Sequence, residues 1–248
     1  MSSLGKKYIM ALSGLVLVGF VMGHMVGNLQ MFLHPDWINE YAYKLQHLPY
    51  GLLWLVRGVL LACVVAHIVT AALLVVENHR ARPRKYEARD KLQASFASRT
   101  MRYSGVVLLA FIVFHLLHYT VQSVHPEFRE LETELAGVGT MHHVYDKLSA
   151  VGKTTVHDVY SMVAIGFSPR YWYVSVFYIL SMGLLCLHLM HGISSMFQSL
   201  GLRNMVWRAR LDKLAMVIAL VVFAGFASIP LAVLAGMIEP LTPLLAVH

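Results

Sequence analysis

Four histidines each lie within a different long hydrophobic segment of the sequence: His24, His67, His115 and His188. Imidazole is poorly suited to contact with lipid tails, so a histidine at membrane depth is expected to face other helices and to have a partner there. One histidine on each of four helices is the number needed to hold two metal centres, each between two imidazoles. Because no carboxylates lie nearby, this pattern favours haem over zinc or a di-iron centre. The sequence therefore predicts two b-type haems held between helices.

Two further histidines leave the choice of ligands open. His118 follows His115 by three residues and His191 follows His188 by three, so the members of each pair share a helix face. We expect His115 and His188 to bind iron because they lie nearer the middle of their segments. His118 and His191 would then donate hydrogen bonds to propionates, quinone or backbone. For any single histidine, a hydrogen bond to a neighbouring helix is the alternative.

The two cysteines and the absence of one motif narrow the haem type. The sequence contains no Cys-X-X-Cys-His, which excludes covalent c-type attachment. Cys63 and Cys186 lie within hydrophobic segments and are interpreted as small apolar residues of the interior. Iron–sulfur ligation by this chain alone is not expected.

Arg57 lies within the second segment, where a charged side chain is energetically unfavourable and should need an anionic partner. A propionate of the outer haem is one candidate partner. The alternative is that the guanidinium extends to the outer interface while its stem stays in the apolar layer. For the inner haem, Ser13, Arg99 and Arg102 are candidates for similar contacts.

Composition and hydropathy indicate the elements that position these residues. The chain has 248 residues, of which 58% are hydrophobic and only 13% are charged, against about 25% charged in a typical soluble domain. Five segments approach or exceed the roughly 20 apolar residues that cross a bilayer. They span about residues 8–33, 48–77, 101–123, 171–198 and 211–237. The prediction is a single all-α membrane domain over residues 1–248, in which four of the five helices form the haem-binding bundle. No cleavable signal peptide is expected, because the first segment is too long and has no small-residue cleavage site.

Charge placement predicts the orientation of these helices. One side is basic, through Lys6, Lys7, Arg80, Arg82, Arg84, Lys85, Arg89, Lys91, Arg99, Arg102, Arg203, Arg208, Arg210 and Lys213. The links on the other side are acidic, through Asp36, Glu40, Glu127, Glu130, Glu132, Glu134, Asp146 and Asp158. The positive-inside rule then places the N-terminus in the cytoplasm and the C-terminus outside. We interpret the net charge of +7 as this topology signal rather than as a nucleic-acid-binding surface.

Helix direction gives a depth for each histidine. At about 1.5 Å per residue, His24 and His115 lie roughly 24 and 21 Å from the inner ends of their outward-running helices. His67 and His188 each lie roughly 15–16 Å from the inner ends of theirs. The depths predict an outer pair, His24 with His115, and an inner pair, His67 with His188. The fifth segment has no histidine before the terminal His248, which suits a packing role outside the bundle.

The chain resembles the cytochrome b membrane subunit of succinate dehydrogenase/fumarate reductase, in its single-chain, five-helix, dihaem form. The residues that carry the resemblance are Gly23-His24-Met25-Val26-Gly27-Asn28-Leu29, Ala66-His67-Ile68-Val69, Glu77-Asn78-His79-Arg80-Ala81-Arg82-Pro83, Ser98-Arg99-Thr100-Met101, Phe114-His115-Leu116-Leu117-His118, Asp158-Val159-Tyr160-Ser161-Met162-Val163 and Leu187-His188-Leu189-Met190-His191-Gly192. Their order and spacing extend over essentially the whole chain.

The resemblance implies a subunit that has no complete active site of its own. It implies an anchor in the bacterial cytoplasmic membrane for a flavoprotein and an iron–sulfur protein, which dock on the basic cytoplasmic loops. Electrons from succinate would pass through the iron–sulfur clusters to an inner haem on His67 and His188. They would then pass to an outer haem on His24 and His115 and to a quinone, typically menaquinone. The haem pairing agrees with the one predicted from depth.

The quinone site departs from the family pattern. Related members have an acidic residue near the outer start of the second helix, where this chain has Gln46. Candidate quinone or proton-transfer residues are therefore His34, Glu40, Gln46, His47 and Arg57. Some relatives also have a glutamate two residues before the fourth-helix ligand. Here that residue is Cys186, so we predict no such proton path.

Two other classes of function remain as alternatives. One is the dihaem cytochrome b of another quinone-linked dehydrogenase, although those proteins usually place several ligands differently and share helices between haems. The other is a non-redox transporter or anchor whose histidines line a polar path. That class is expected to carry acidic residues within the membrane or broken helices.

Overall fold

The computed structural model describes residues 2–81, 96–135 and 154–241, with the side chains of residues 96–99 outside that description. The residues of the sequence analysis that lie outside it are Arg82, Pro83, Arg84, Lys85, Arg89, Lys91, Asp146 and His248, together with the side chains of Ser98 and Arg99.

Five of the helices in the described ranges are long and apolar enough to cross a membrane. They are α1 (Ser3–Asn28), α3 (Leu52–Arg80), α4 (Phe96–His115), α6 (Trp172–Ser199) and α7 (Arg208–Leu234). Large apolar side chains are exposed along them, for example Leu12 at 54%, Leu61 at 65% and Val217 at 53%. Such surfaces favour a lipid environment over water. The all-α membrane character predicted from the sequence is therefore confirmed in the number and apolar character of these helices.

The ends of these helices differ from the predicted spans for local reasons. α1 begins at Ser3, five residues earlier than expected, and its first turns are tied to the end of α3 by an ion pair between Lys6 and Glu77. α3 begins only at Leu52, because Tyr50 and Gly51 both have positive φ, at 57° and 68°. A helix cannot propagate through that left-handed region.

The α-helical part of α4 ends at His115 and is followed by one π-helical turn, Leu116–Thr120. The predicted span of 101–123 therefore contains a change of helix type directly after a proposed ligand. Single π turns within α-helices occur frequently at functional sites.

Shorter elements occupy the links and were not predicted. α2 (Pro35–Gln46) has a complete set of end signals: an N-cap at His34, proline at its first position, Asp36 in its first turn and Lys44 in its last. α5 (Val159–Gly166) is capped by the Asp158 carboxylate, which accepts a hydrogen bond from the Ser161 backbone N–H. Before α5, the strands β1 (Glu132–Leu135) and β2 (Thr154–His157) pair antiparallel, with Glu132 opposite His157.

The chain divides into two compact units. The first unit contains Met1–His24, Gly51–Leu108 and Gly183–Phe223, and the second contains Met25–Tyr50, Leu109–Met182 and Ala224–His248. The core of the second unit is centred on α5, where Ala164 and Ile165 are at most 1% exposed and pack with Phe128 and Met31. The proposed ligands His67 and His188 belong to the first unit, and His115 belongs to the second.

Candidate functional site

His67 on α3 and His188 on α6 face each other within the first unit. Their ring centres are 6.4 Å apart and their planes are inclined by 59°. A metal–imidazole bond is about 2.0–2.1 Å and a ring centre lies about 1.1 Å behind its nitrogen, so two rings on opposite sides of one metal have centres about 6.3 Å apart. The observed spacing therefore fits a single metal ion bound between the two rings.

The hydrogen bond at Nδ1 of His67 determines which ring nitrogen is available. Nδ1 lies 3.2 Å from the Met10 carbonyl oxygen and 3.5 Å from Ser13 Oγ, both on α1. A carbonyl oxygen only accepts, so Nδ1 must carry the proton and donate. The proton is then absent from Nε2, whose lone pair is the one that a metal ion requires.

His188 is held in the same way by a serine of α4. Its Nδ1 lies 3.3 Å from Ser104 Oγ, and Ser104 Oγ itself donates to the Met101 carbonyl oxygen at 3.1 Å. When the hydroxyl proton is used in that bond, the serine oxygen is free to accept a hydrogen bond from Nδ1–H. Within the described residues, neither Nε2 of the facing pair takes part in a hydrogen bond.

A glycine follows each of these serines and lies against the same histidine ring. A Cβ on Gly14 would lie 3.3 Å from Cε1 of His67, which is tighter than ordinary contact. A Cβ on Gly105 would lie 3.9 Å from Cε1 of His188, an ordinary contact. Each histidine thus packs against a Ser-Gly pair on another helix, and the approach is closer on the α1 side.

His191 has different neighbours from His188. The ring that faces His67 is that of His188, and within the described residues His191 makes no ring contact with His67.

One turn further along α6, Ser194 Oγ donates to Asp212 Oδ1 at 2.5 Å. Arg203 Nη2 also donates to both oxygens of Asp212, at 3.1 and 2.9 Å. One cation of the basic link is therefore engaged within the chain.

The outer pair predicted from the sequence is divided between the two units. His24 lies near the end of α1 in the first unit, where its ring stacks on Phe20 with centres 5.3 Å apart. His115 belongs to the second unit. The pairing of His24 with His115 stays a prediction.

Within the second unit, Tyr178 on α6 joins His115, the last residue of α4, to His118 in the π-helical turn that follows. Its hydroxyl lies 3.3 Å from Nδ1 of His115 and 3.1 Å from Nδ1 of His118. His118 is completely buried, and a Cβ on Gly166 of α5 would lie 3.2 Å from its Nε2. The backbone of α5 therefore lies close to that nitrogen, whereas His115 is only partly buried.

Arg57 is exposed and its guanidinium lies over the Trp54 ring, 4.9 Å from the ring centre. This is a cation–π contact, and extension of the side chain to the membrane interface stays a prediction. The contact with a haem propionate stays a prediction, as do those of Ser13, Arg99 and Arg102.

The quinone candidates are spread along α2 and are not gathered in one place. His34 caps the start of the helix, Glu40 pairs with Lys44 at 2.5 Å, and Gln46 and His47 are exposed at its end. Thirteen residues separate His34 from His47, and at about 1.5 Å per residue the two lie roughly 20 Å apart. One quinone headgroup cannot contact both.

The second unit also contains a cavity of about 340 Å³, within the usual size range of small-molecule sites. It is bordered by Ala164, Ser168, Val233, Ile238 and Glu239, among others. The Ser168 hydroxyl is buried and has no hydrogen-bond partner within the described residues. None of the quinone candidates borders this cavity.

A buried polar network anchors α2 to the start of α5. Asn39 Nδ2 donates to Asp158 Oδ1 at 3.1 Å, and the Tyr160 backbone N–H donates to Asn39 Oδ1 at 3.0 Å. Asn39 and Asp158 are both fully buried. Burial, followed by the carboxylates of Asp158 and Glu239, raises the pKa of Tyr160.

Sequence reasoning did not find three of these partners. The Ser104 hydroxyl contacts His188, the Met10 carbonyl contacts His67, and Tyr178 joins His115 to His118. The repeated dipeptides Ser13-Gly14 and Ser104-Gly105 were a usable signal, since each combines an acceptor with the space for a close ring. A backbone carbonyl carries no such signal.

A comparison of the chain with protein-family models, curated proteins and solved structures finds no match.

Proposed function

We propose that the chain is a dihaem cytochrome b that anchors a succinate:quinone oxidoreductase in the bacterial cytoplasmic membrane. The observation that carries this proposal is the facing pair of His67 and His188. Their spacing suits one metal ion, and both Nδ1 atoms are engaged, which leaves the two Nε2 atoms available as ligands.

Two imidazoles supply only two ligands, which favours haem over a bare metal ion. A structural zinc site has four protein ligands, whereas a porphyrin supplies four nitrogens and needs one ligand on each face. His67 and His188 would hold one haem, and His24 and His115 the other. Haem supplies reversible one-electron transfer when bound. The chain's own contribution is to fix the two rings, to keep their Nε2 atoms deprotonated and to surround them with apolar helices.

The identity of the electron donor rests on the sequence resemblance. The motifs around His24, His115 and His188 occur in the order and spacing of the dihaem succinate dehydrogenase anchors. A flavoprotein and an iron–sulfur subunit would dock on the basic side, where Arg208, Arg210 and Lys213 lie outside any ion pair within the described residues and Arg203 is held by Asp212. The acceptor is a quinone, most simply menaquinone, and the N-terminus is cytoplasmic.

The test is a reduced-minus-oxidised visible spectrum with pyridine haemochrome quantitation on the complex purified from its own membranes. We expect about two haems b per chain and succinate:quinone activity. His67→Ala and His188→Ala should each remove the same haem, and His24→Ala and His115→Ala the other. His191→Ala and His118→Ala are matched controls one turn away, and both should keep two haems. A wild-type chain without haem would refute the cytochrome. Haem without an associated flavoprotein would instead favour a different quinone-linked dehydrogenase.

A further inference from the structure

We propose that Ser104 and Ser13 are positioning residues that set the electron-donor strength and ring orientation of the two inner haem ligands, with Ser104 the stronger of the two. This inference rests on the proposed function, because it requires haem between His67 and His188. It concerns side chains that touch the ligands and not the haem itself.

The two serines make the same kind of contact. Each hydroxyl donates to a carbonyl oxygen of its own helix, Ser13 to Ile9 at 2.7 Å and Ser104 to Met101 at 3.1 Å. With its proton in this back-bond, each hydroxyl presents its oxygen to the histidine as an acceptor. Both serines are almost fully buried, at 6% and 1% exposed, so water does not compete for the serine oxygen. Each oxygen is therefore a preset acceptor for a histidine Nδ1–H.

The two histidines differ in what remains if the serine hydroxyl is lost. His67 Nδ1 would keep the Met10 carbonyl at 3.2 Å, which is closer than Ser13 Oγ at 3.5 Å. His188 Nδ1 has Ser104 Oγ as its one hydrogen-bond partner among the described residues. Removing the Ser104 hydroxyl would therefore leave a buried N–H without an acceptor, whereas removing that of Ser13 would not.

The hydrogen bond affects iron through the imidazole ring. An acceptor at Nδ1–H increases the basicity of the ligating Nε2, which stabilises the more highly charged, oxidised iron. Loss of the acceptor weakens that donation, so the midpoint potential should rise. The same contact limits rotation of the His188 ring, whose plane is inclined by 59° to that of His67. The anisotropy of a low-spin haem EPR signal depends on this angle.

The experiment is redox titration and low-temperature EPR of the assembled complex carrying Ser104→Ala, Ser13→Ala or Ser104→Thr. We expect Ser104→Ala to raise the potential of one haem, the one lost in His188→Ala, and to alter its EPR signal while the other haem keeps its values. Ser13→Ala should shift the same haem less. Ser104→Thr restores the hydroxyl and should restore the wild-type potential. Ser181→Ala is a matched control, because its hydroxyl is buried on α6 without a hydrogen-bond partner in the described structure.

The outcomes separate this inference from the proposed function. Two haems at unchanged potentials in Ser104→Ala would overturn the inference and leave the cytochrome intact, as would a Ser13→Ala shift equal to or larger than that of Ser104→Ala. A wild-type complex without haem would overturn both. If Ser104→Ala does not assemble, Ser104→Cys replaces it. The thiol is a weaker acceptor, so a shift in the same direction supports the inference and an unchanged potential overturns it.

Discussion

Replacing Asn39 with alanine tests whether one buried amide anchors α2 to α5. Its side chain accepts from the Tyr160 backbone N–H at 3.0 Å and donates to Asp158 Oδ1 at 3.1 Å. Asp158 would keep only the Ser161 backbone N–H, because its second oxygen has no partner in the described structure. The substitution therefore orphans one backbone donor and removes one of two hydrogen bonds to a buried carboxylate.

The magnitude follows from these two losses. A buried donor left without a partner costs about 1–3 kcal/mol, and a hydrogen bond to a charged group contributes about 1.5–3 kcal/mol. We expect Asn39→Ala to lower the free energy of opening of this region by about 3–5 kcal/mol. Since about 1.4 kcal/mol corresponds to a tenfold change, the slowest amides of α2 and α5 should exchange at least about 100-fold faster.

Hydrogen–deuterium exchange of the detergent-solubilised complex measures this directly. Asn78→Ala is the control, because Asn78 is exposed on α3 and a surface substitution usually changes stability by less than about 0.5 kcal/mol. Unchanged protection in α2 and α5 of Asn39→Ala would refute the anchoring role. Equal loss of protection in every helix would show a global effect instead. The result also bears on quinone chemistry, since four of the candidate residues lie on α2 or at its two ends.

Three further substitutions have defined outcomes. Gly166→Ala would place its Cβ 2.6 Å from the Tyr119 hydroxyl and 3.2 Å from the His118 ring, so it should destabilise the second unit by about 1–3 kcal/mol, seen as a lower melting temperature; an unchanged melting temperature would contradict this packing. Gly105→Ala has room for its Cβ and should raise the melting temperature through helix propensity. The Cβ of Gly14→Ala would press on the His67 ring, so this variant should shift the haem spectrum. The same melting temperature and the same spectrum in both variants would contradict the closer approach on the α1 side. The pKa of Tyr160 is raised in the folded chain, so the stability that depends on its proton is complete below pH ~10 and is lost as the pH rises further. Tyr160→Phe should lose less stability than wild type over that alkaline range, and parallel losses would contradict the assignment.

The long helices could be predicted because their hydropathy signal extends over many residues. A run of about 20 apolar residues requires a backbone whose hydrogen bonds are all internal, so length and composition suffice. The ends of these helices were harder to predict, because they depend on single contacts between residues distant in sequence, such as the ion pair between Lys6 and Glu77. Tyr50 has a positive φ although it is not glycine, and its residue type does not predict that conformation.

The short elements were missed for a different reason. α2 carries its end signals in His34, Pro35 and Asp36, but its mixed composition resembles that of a link between membrane helices. α5 is only eight residues long and is stabilised mainly by burial, with Ala164 and Ile165 in the centre of a core. Marginal helices of this length form through tertiary packing, which local sequence does not reveal.

For the facing pair of His67 and His188, residue type, tautomer and the apolar surroundings all support a metal ion between the two rings. If one ring carried its proton on Nε2, a closer approach of the two rings would let it donate to the other in an ordinary interhelical hydrogen bond. The Met10 carbonyl excludes that tautomer for His67, because a carbonyl oxygen only accepts and so keeps the proton on Nδ1. The Ser104 hydroxyl, which donates to the Met101 carbonyl, can accept from Nδ1–H of His188 in the same way. With both protons on Nδ1, neither Nε2 can donate to the other, and an unpaired polar group among apolar helices is costly. A cation bound by both nitrogens would remove that cost, so this pair of tautomers supports a metal centre in addition to the spacing of the two rings.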